Sequence, residues 1–246
     1  MKVGVRGSDL ALAYAALACK ALPCETEIVV IKSAGDLNPD VPISEIGGKG
    51  VFCSALEKEL LDGNIDVAVH SLKDLPGDVE TAGLVVNAVL KRNSPHDVML
   101  GKVTIGSVIG TSSPRRIAQL TQLYSSLDVT FKPIRGNIDT RIAKLQTGEY
   151  DAIVLAEAGL DALNIPNTKI RLPIIPAVGQ GIIALQTREA DAVTNEIVQK
   201  ANHKPTFAHA KMERAILKGI MGDCHTKIAA HATGSNPINM RVEYYE

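Results

Sequence analysis

The feature that most constrains the fold is an alternation of strand-like and helix-like segments that stops at Asn93-Ser-Pro-His96 and then starts again. Val3–Arg6 reads as a strand and Leu10–Leu22 as an Ala/Leu-rich helix. Glu27–Lys32 follows with an unbroken β-branched run, and Val51–Leu61 carries Phe52, Leu56 and Leu60 at helical spacing. Asp66–His70 and Leu84–Leu90 are further strands. Beyond the break, Ser107–Gly110, Asp128–Lys132 and Asp151–Leu155 are strands, with helices over Pro114–Tyr124 and Asn137–Gln146. Alternation of this kind predicts α/β lobes built on mainly parallel sheets. Pro173, Pro176 and Gly179-Gln-Gly181 mark a second break. After it come a strand over Ile182–Thr187, helices over Ala190–Ala201 and Pro205–Lys218, and two strand-like runs, Lys227–Ala232 and Asn239–Tyr245. Two lobes joined by two crossings leave a cleft between them, and in open α/β sheets ligands sit beyond the carboxyl ends of the strands.

The polar clusters fall at those ends. Gly110-Thr-Ser-Ser-Pro-Arg-Arg116 places Ser at a helix N-cap and Pro at the first helical position, the preferred start of a helix. Arg115 and Arg116 then sit in a first turn whose dipole favours acids, so an anion is the natural partner. Arg135-Gly-Asn-Ile-Asp-Thr-Arg141 repeats the arrangement, with Asn137 as the N-cap. A guanidinium is a fixed fork of donors matched to carboxylates, and four of them predict a pocket for a polycarboxylate. His70-Ser-Leu-Lys-Asp74 ends a buried-type strand and directs Lys73 and Asp74 toward the cleft. A carboxylate among arginines stays ionised and suits an N–H donor or a developing cation.

Net charge of −1 and 3% aromatic residues, with no tryptophan, argue against bulk nucleic-acid binding and base stacking. No apolar run reaches membrane-spanning length, and the amino-terminal residues read as a first strand rather than a signal peptide. Cys19, Cys24, Cys53 and Cys224 show neither Cys-x-x-Cys pairing nor zinc spacing, so reduced cytoplasmic thiols and no metal site are expected. Gly47-Gly-Lys-Gly50 lacks the features of a phosphate-binding loop and reads as a mobile loop or lid. Cys224, beside His225 in a glycine-containing loop, is open to two readings: a small buried hydrophobe, or a nucleophile or attachment point.

Taken in order, Arg6-Gly-Ser8, Gly47-Gly-Lys-Gly50, His70-Ser-Leu-Lys-Asp74, Gly110-Thr-Ser-Ser-Pro-Arg-Arg116, Arg135-Gly-Asn137, Thr140-Arg141, Gly148-Glu-Tyr-Asp-Ala152, Ala177-Val-Gly-Gln-Gly181, Glu213-Arg214-Ala215 and Cys224 resemble the porphobilinogen deaminase (hydroxymethylbilane synthase) family over nearly the whole chain. The resemblance implies a transferase of haem and tetrapyrrole biosynthesis, cytoplasmic and monomeric, that condenses four porphobilinogen molecules with loss of ammonia. It implies a dipyrromethane cofactor held by a thioether to Cys224. By the same carry-over Asp74 is catalytic, hydrogen-bonding pyrrole N–H groups and stabilising the cationic azafulvene left when ammonia departs. Lys73, Ser113, Arg115 and Arg116 hold the cofactor's acidic side chains, and Arg6, Ser8, Arg135 and Arg141 bind substrate or the growing chain.

The implied fold has two lobes like those of type II periplasmic binding proteins and a small α+β domain bearing the cysteine. Mapped here, lobe one is about 1–91 with 182–201, lobe two about 92–181, and the third domain, short for the family, about 202–246. Three further departures stand out: Asp223 replaces a usual glycine, Tyr14 a usual glutamine, and a further family arginine falls on Lys169 or Arg171. The competing expectation is a non-catalytic two-lobed binder of small anions with a degenerate third domain.

Overall fold

The computed structural model describes residues 1–32, 53–77, 81–166, 169–220 and 226–245. The first elements are β1 (Lys2–Arg6), α1 (Asp9–Ala21), β2 (Glu27–Ile31), α2 (Ser54–Leu61), β3 (Val67–Ser71) and β4 (Leu84–Val89). The next are β5 (Asp97–Gly101), β6 (Val108–Gly110), α3 (Pro114–Leu123), β7 (Thr130–Lys132), α4 (Ile138–Gln146), β8 (Ala152–Ala156), α5 (Glu157–Ala162) and β9 (Ile170–Arg171). Then come β10 (Ile183–Arg188), α6 (Ala192–Gln199), α7 (Lys204–Gly219), β11 (Ile228–Thr233) and β12 (Asn239–Tyr244).

These strands form two five-stranded sheets, ordered β2-β1-β3-β10-β4 and β7-β6-β8-β5-β9, and a two-stranded hairpin β11-β12. The two large sheets share one plan. In each, three strands run parallel in the order second, first, third, and the strand entered directly from the other sheet is inserted antiparallel beside the third. This is the order of a type II periplasmic-binding lobe. The inserted strands, β5 and β10, correct the expectation of mainly parallel sheets. Each large sheet has two parallel and two antiparallel pairings, because a chain arriving from the neighbouring lobe enters the sheet from its opposite end.

Local chemistry accounts for the helix starts. Ser8 caps α1 by accepting from the Ala11 amide, and Ser113 caps α3 by accepting from the Arg116 amide behind Pro114. Helix α1 then lays Tyr14 and Ala18 onto β1 and β3 in a core with Val3, Val67, Val69 and Leu185. The second sheet has cores on both faces, one around Val98, Ile134, Ile153 and Leu160, the other around Met99, Ile109, Leu120 and Val154.

The two crossings lie against each other. Asn93 N–H donates to Gly181 O at 2.8 Å. Gly181 has φ +79°, and a Cβ there would stand 2.6 Å from Ser94 O, so the close approach needs glycine. The hairpin docks on this junction through Leu217, Ile228, Ala230 and Val178. Glu213 of α7, fully buried, accepts from Arg92 of the first crossing and from the Gly179 amide of the second, the latter at 2.8 Å, and from the Ala232 amide of β11 at 2.8 Å.

Candidate active site

A cleft of about 1270 Å³ opens beyond the carboxyl ends of β1, β3 and β7. Arg6, Ser8, Lys73, Asp74, Arg116, Arg135 and Arg141 all line it, so seven of the ten expected site residues meet there. Eight lysines and arginines face four carboxylates across this surface, in a chain whose net charge is only −1. Ser113 and Arg115 are not among the lining residues. Cys224 and Asp223, with the Gly47–Gly50 run, lie outside the described residues.

Asp97 explains how two arginines can share the first turn of α3. It is fully buried and sits between them, 2.8 Å from Arg115 Nη1 and 2.7 Å from Arg116 Nη2. Burial alone would raise its pKa, but Arg116 and Arg115 outweigh that and hold the carboxyl well below the usual carboxylate range. Part of the expected external anion is thus an internal carboxylate. It is one charge against two, and the remainder faces outward. Arg116 also donates to Val154 O at 2.8 Å and still reaches the cleft. Arg115 donates to Ile175 O at 2.7 Å, while its buried Nε has no hydrogen-bond partner among the described residues.

The second cluster is more open. Gly136, at φ +107°, turns the chain so that Arg135 and Asn137 flank the start of α4. Asn137 occupies the N-cap without a side-chain bond. Arg141 donates to Gly136 O at 2.7 Å. Burial, then Arg116 and Arg135, push its pKa down to about 10, so the two neighbouring guanidiniums raise the cost of charging Arg141.

Lys73 and Asp74 occupy a single 3₁₀ turn, Leu72–Asp74, anchored by buried Leu72. Lys73 is half-buried, and burial lowers its pKa to about 8, with Arg116 and Arg115 acting in the same direction and Asp74 and Asp97 against it. Asp74 is exposed to the cleft. A side pocket of about 60 Å³ opens beside it, walled by Tyr14, Cys53 and His70. Burial, then Asp74 and Asp161, push the Tyr14 phenol up to about 12. Burial drives His70 down to about 4, and its Nε2 pairs with Gln186 Oε1 at 2.9 Å. Both groups are therefore neutral near pH 7.

The sequence profile of the porphobilinogen deaminase, dipyromethane cofactor binding domain matches residues 1–196. A porphobilinogen deaminase of Rickettsia prowazekii is 39% identical over 261 residues, covering 99% of this chain and 86% of its own length. One of Ehrlichia chaffeensis is 42% identical over 252 residues, covering 94% and 82%. A probable porphobilinogen deaminase of Hyperthermus butylicus is 40% identical over 249 residues, covering 94% and 81%. The chain belongs to the porphobilinogen deaminase family. Among solved structures, the periplasmic VFT2 domain of BvgS from Bordetella pertussis covers 89% of this chain and 92% of its own, at 15% identity and a TM-score of 0.43. The fold is defined by its strand order.

Within this cleft the structure adds residues that sequence reasoning missed. Asp97 is a lone acid in an apolar run, and its role depends on arginines far along the chain. Lys132 and Lys144 line the cleft without belonging to a motif. A count of cations per predicted strand end would have found Lys132, at the end of β7. Lys169 and Arg171 both reach Glu157, at 3.2 and 2.8 Å, and neither is among the residues lining the cleft.

Proposed function

We propose that this cleft deaminates porphobilinogen and condenses four molecules head to tail into hydroxymethylbilane, on a dipyrromethane cofactor joined through a thioether to Cys224. The observation that carries the reading is Asp74 exposed in a cleft otherwise dominated by cations. Porphobilinogen is a dicarboxylic acid, so every added unit brings two carboxylates for arginine forks to hold. The residues also fit the cofactor: cleft-facing Arg116 and Lys73, with the unpartnered Nε of Arg115 behind them, are donors in excess of their internal carboxylate. When bound, that group supplies the pyrrole carbon at which the first new bond forms.

The chain's own groups do the rest. Arg115, Arg116, Lys73 and Ser113 hold the cofactor's acidic side chains, and Arg6, Ser8, Arg135 and Arg141 hold the incoming dicarboxylate. Asp74 accepts pyrrole N–H groups and offsets the positive charge that develops as ammonia leaves. That is electrostatic stabilisation by a charge fixed in place before the reaction. A simple anion binder gains nothing from a carboxylate there. Helix α7, which leads toward Cys224, is tied to the same segment, since Arg214 donates to Pro76 O at 2.9 Å, two residues after Asp74.

In this reading lobe one is 1–91 with 182–201, lobe two 92–181, and 202–246 the cofactor-bearing domain of a cytoplasmic monomer. No helix among the described residues is long and apolar enough to cross a membrane. Intact mass before and after brief exposure to porphobilinogen tests the function. Two linked pyrroles at rest, growing by single pyrrole units, are expected, and Asp74→Asn should keep the resting adduct while losing about 100-fold or more in turnover. A bare mass that never grows would remove the enzyme reading.

A further inference from the structure

Gln180 belongs to the Ala177–Gly181 motif, yet none of the roles above uses it. It is 1% exposed on the second crossing. Its Nε2 donates to Pro95 O at 2.7 Å and to Asp97 Oδ1 at 3.1 Å. Both are pure acceptors, so a flipped amide would set oxygen against oxygen, and the orientation is decided. Its Oε1 must then face the other way, where Lys73 Nζ lies at 3.5 Å, the outer limit of a hydrogen bond. Its backbone oxygen accepts from Arg92 Nε at 2.9 Å. One amide therefore touches the first crossing, the Arg115–Asp97–Arg116 set of the second sheet and the lysine beside Asp74 on the first.

We propose that Gln180 is a positioning residue, the link that sets Lys73 against the paired arginines across the lobe junction. The link rests on the proposed function for its catalytic consequence, but not for its geometry. Lys73 is faced by Asp74 from its own turn and by Arg115, Arg116 and Asp97 from the second sheet. Gln180 offers it a neutral acceptor whose aim is fixed from elsewhere.

The test uses the full chain with Gln180→Met and Gln180→Glu. Lys73 reactivity is followed by trace acetylation and peptide mass spectrometry at pH 8, normalised to exposed Lys102. Met removes the acceptor, so the ammonium is less stabilised and acetylation should rise at least threefold. Glu keeps the acceptor toward Lys73, and its other oxygen, set against Pro95 O and the Asp97 carboxylate, holds a proton between the two acids, so acetylation should stay within twofold of wild type. General loosening of the fold would raise both. A rise in Met alone supports the link, whereas a common rise, or no rise in Met, would overturn it. If the Met variant does not fold, Gln180→Asn, too short to reach Asp97 and Lys73 at once, takes its place with the same expected rise. With porphobilinogen, the Met variant should lose at least tenfold in kcat with KM within threefold, and unchanged kcat would also overturn the link. Wild type that consumes no porphobilinogen would instead sink the proposed function, leaving the labelling result to stand.

Discussion

Replacing Asp97 by Asn removes one charge while keeping the shape, at a fully buried position between two arginines. Asp97 is fully buried, and the two guanidiniums it serves are 4% and 7% exposed. Taking away one partner of a buried ion pair costs about 3–5 kcal/mol, because the remaining charge stays buried without compensation. In a protein of this size about 1 kcal/mol moves Tm by roughly 2–4 °C, so D97N should melt roughly 6–20 °C lower. Calorimetry reads that loss, and hydrogen exchange should place it in α3 before the first sheet. The pH dependence has a definite sign. A folded-state pKa held below the unfolded value contributes fully above the unfolded value of about 3.9 and is lost as pH falls through the folded one. The gap between wild type and D97N should be flat from pH 5 to 8 and narrow below about pH 4. A D97N protein melting within 2 °C of wild type, or a gap that widens in acid, would refute the account of Asp97 as counter-ion to both arginines.

Three other outcomes follow from the same geometry. Lys73, lowered to about 8 by burial and then by Arg116 and Arg115, binds fewer protons folded than unfolded between pH 8 and about 10.4, so it makes stability rise with pH across that window. Binding of a small tricarboxylate should weaken as pH rises through 8, a step that Lys73→Met abolishes in isothermal titration. Glu213→Gln keeps one acceptor for a site serving Arg92, Gly179 and Ala232, and should cost about 3 kcal/mol or more. Hydrogen exchange at β11 should then accelerate ahead of the first sheet, and uniform protection would contradict the anchor. His70, pushed to about 4 by burial, should show no NMR titration above pH 5, and a midpoint above 6 would contradict its buried pairing with Gln186.

The parts of the fold that could be read along the chain are those whose reasons are local. The caps Ser8 and Ser113, the proline at the start of α3 and the β-branched run of β2 each announce themselves within a few residues. The inserted strand β5 does not. Asp97–Leu100 is wholly buried, so it shows no period, and it follows a proline that reads as hinge. Its antiparallel direction is a property of where the chain re-enters the sheet. Helix α5 and the two-residue β9 are too short to carry a pattern. The site divides the same way. Arginine clusters show in sequence because two guanidiniums side by side are unusual at a helix start. The carboxylate that neutralises half of that charge contacts Arg116 across 19 positions, and no local rule connects them.

That internal carboxylate changes what the cleft is built to do. Two arginines with no counter-ion would hold any anion tightly, and would hold a product as firmly as a substrate. With Asp97 between them, their positions are fixed before any ligand arrives, and only the unneutralised remainder is offered to the cleft. Arg141, lowered to about 10 by burial and by Arg116 and Arg135, stays charged at neutral pH at some cost, and a bound carboxylate relieves that cost. Asp74 stands in the opposite situation, an anion among cations. It sits in the same cleft that draws in polycarboxylates. A cleft meant only to collect anions would be improved by its removal. A cleft that must also stabilise positive charge appearing on its ligand needs it where it is.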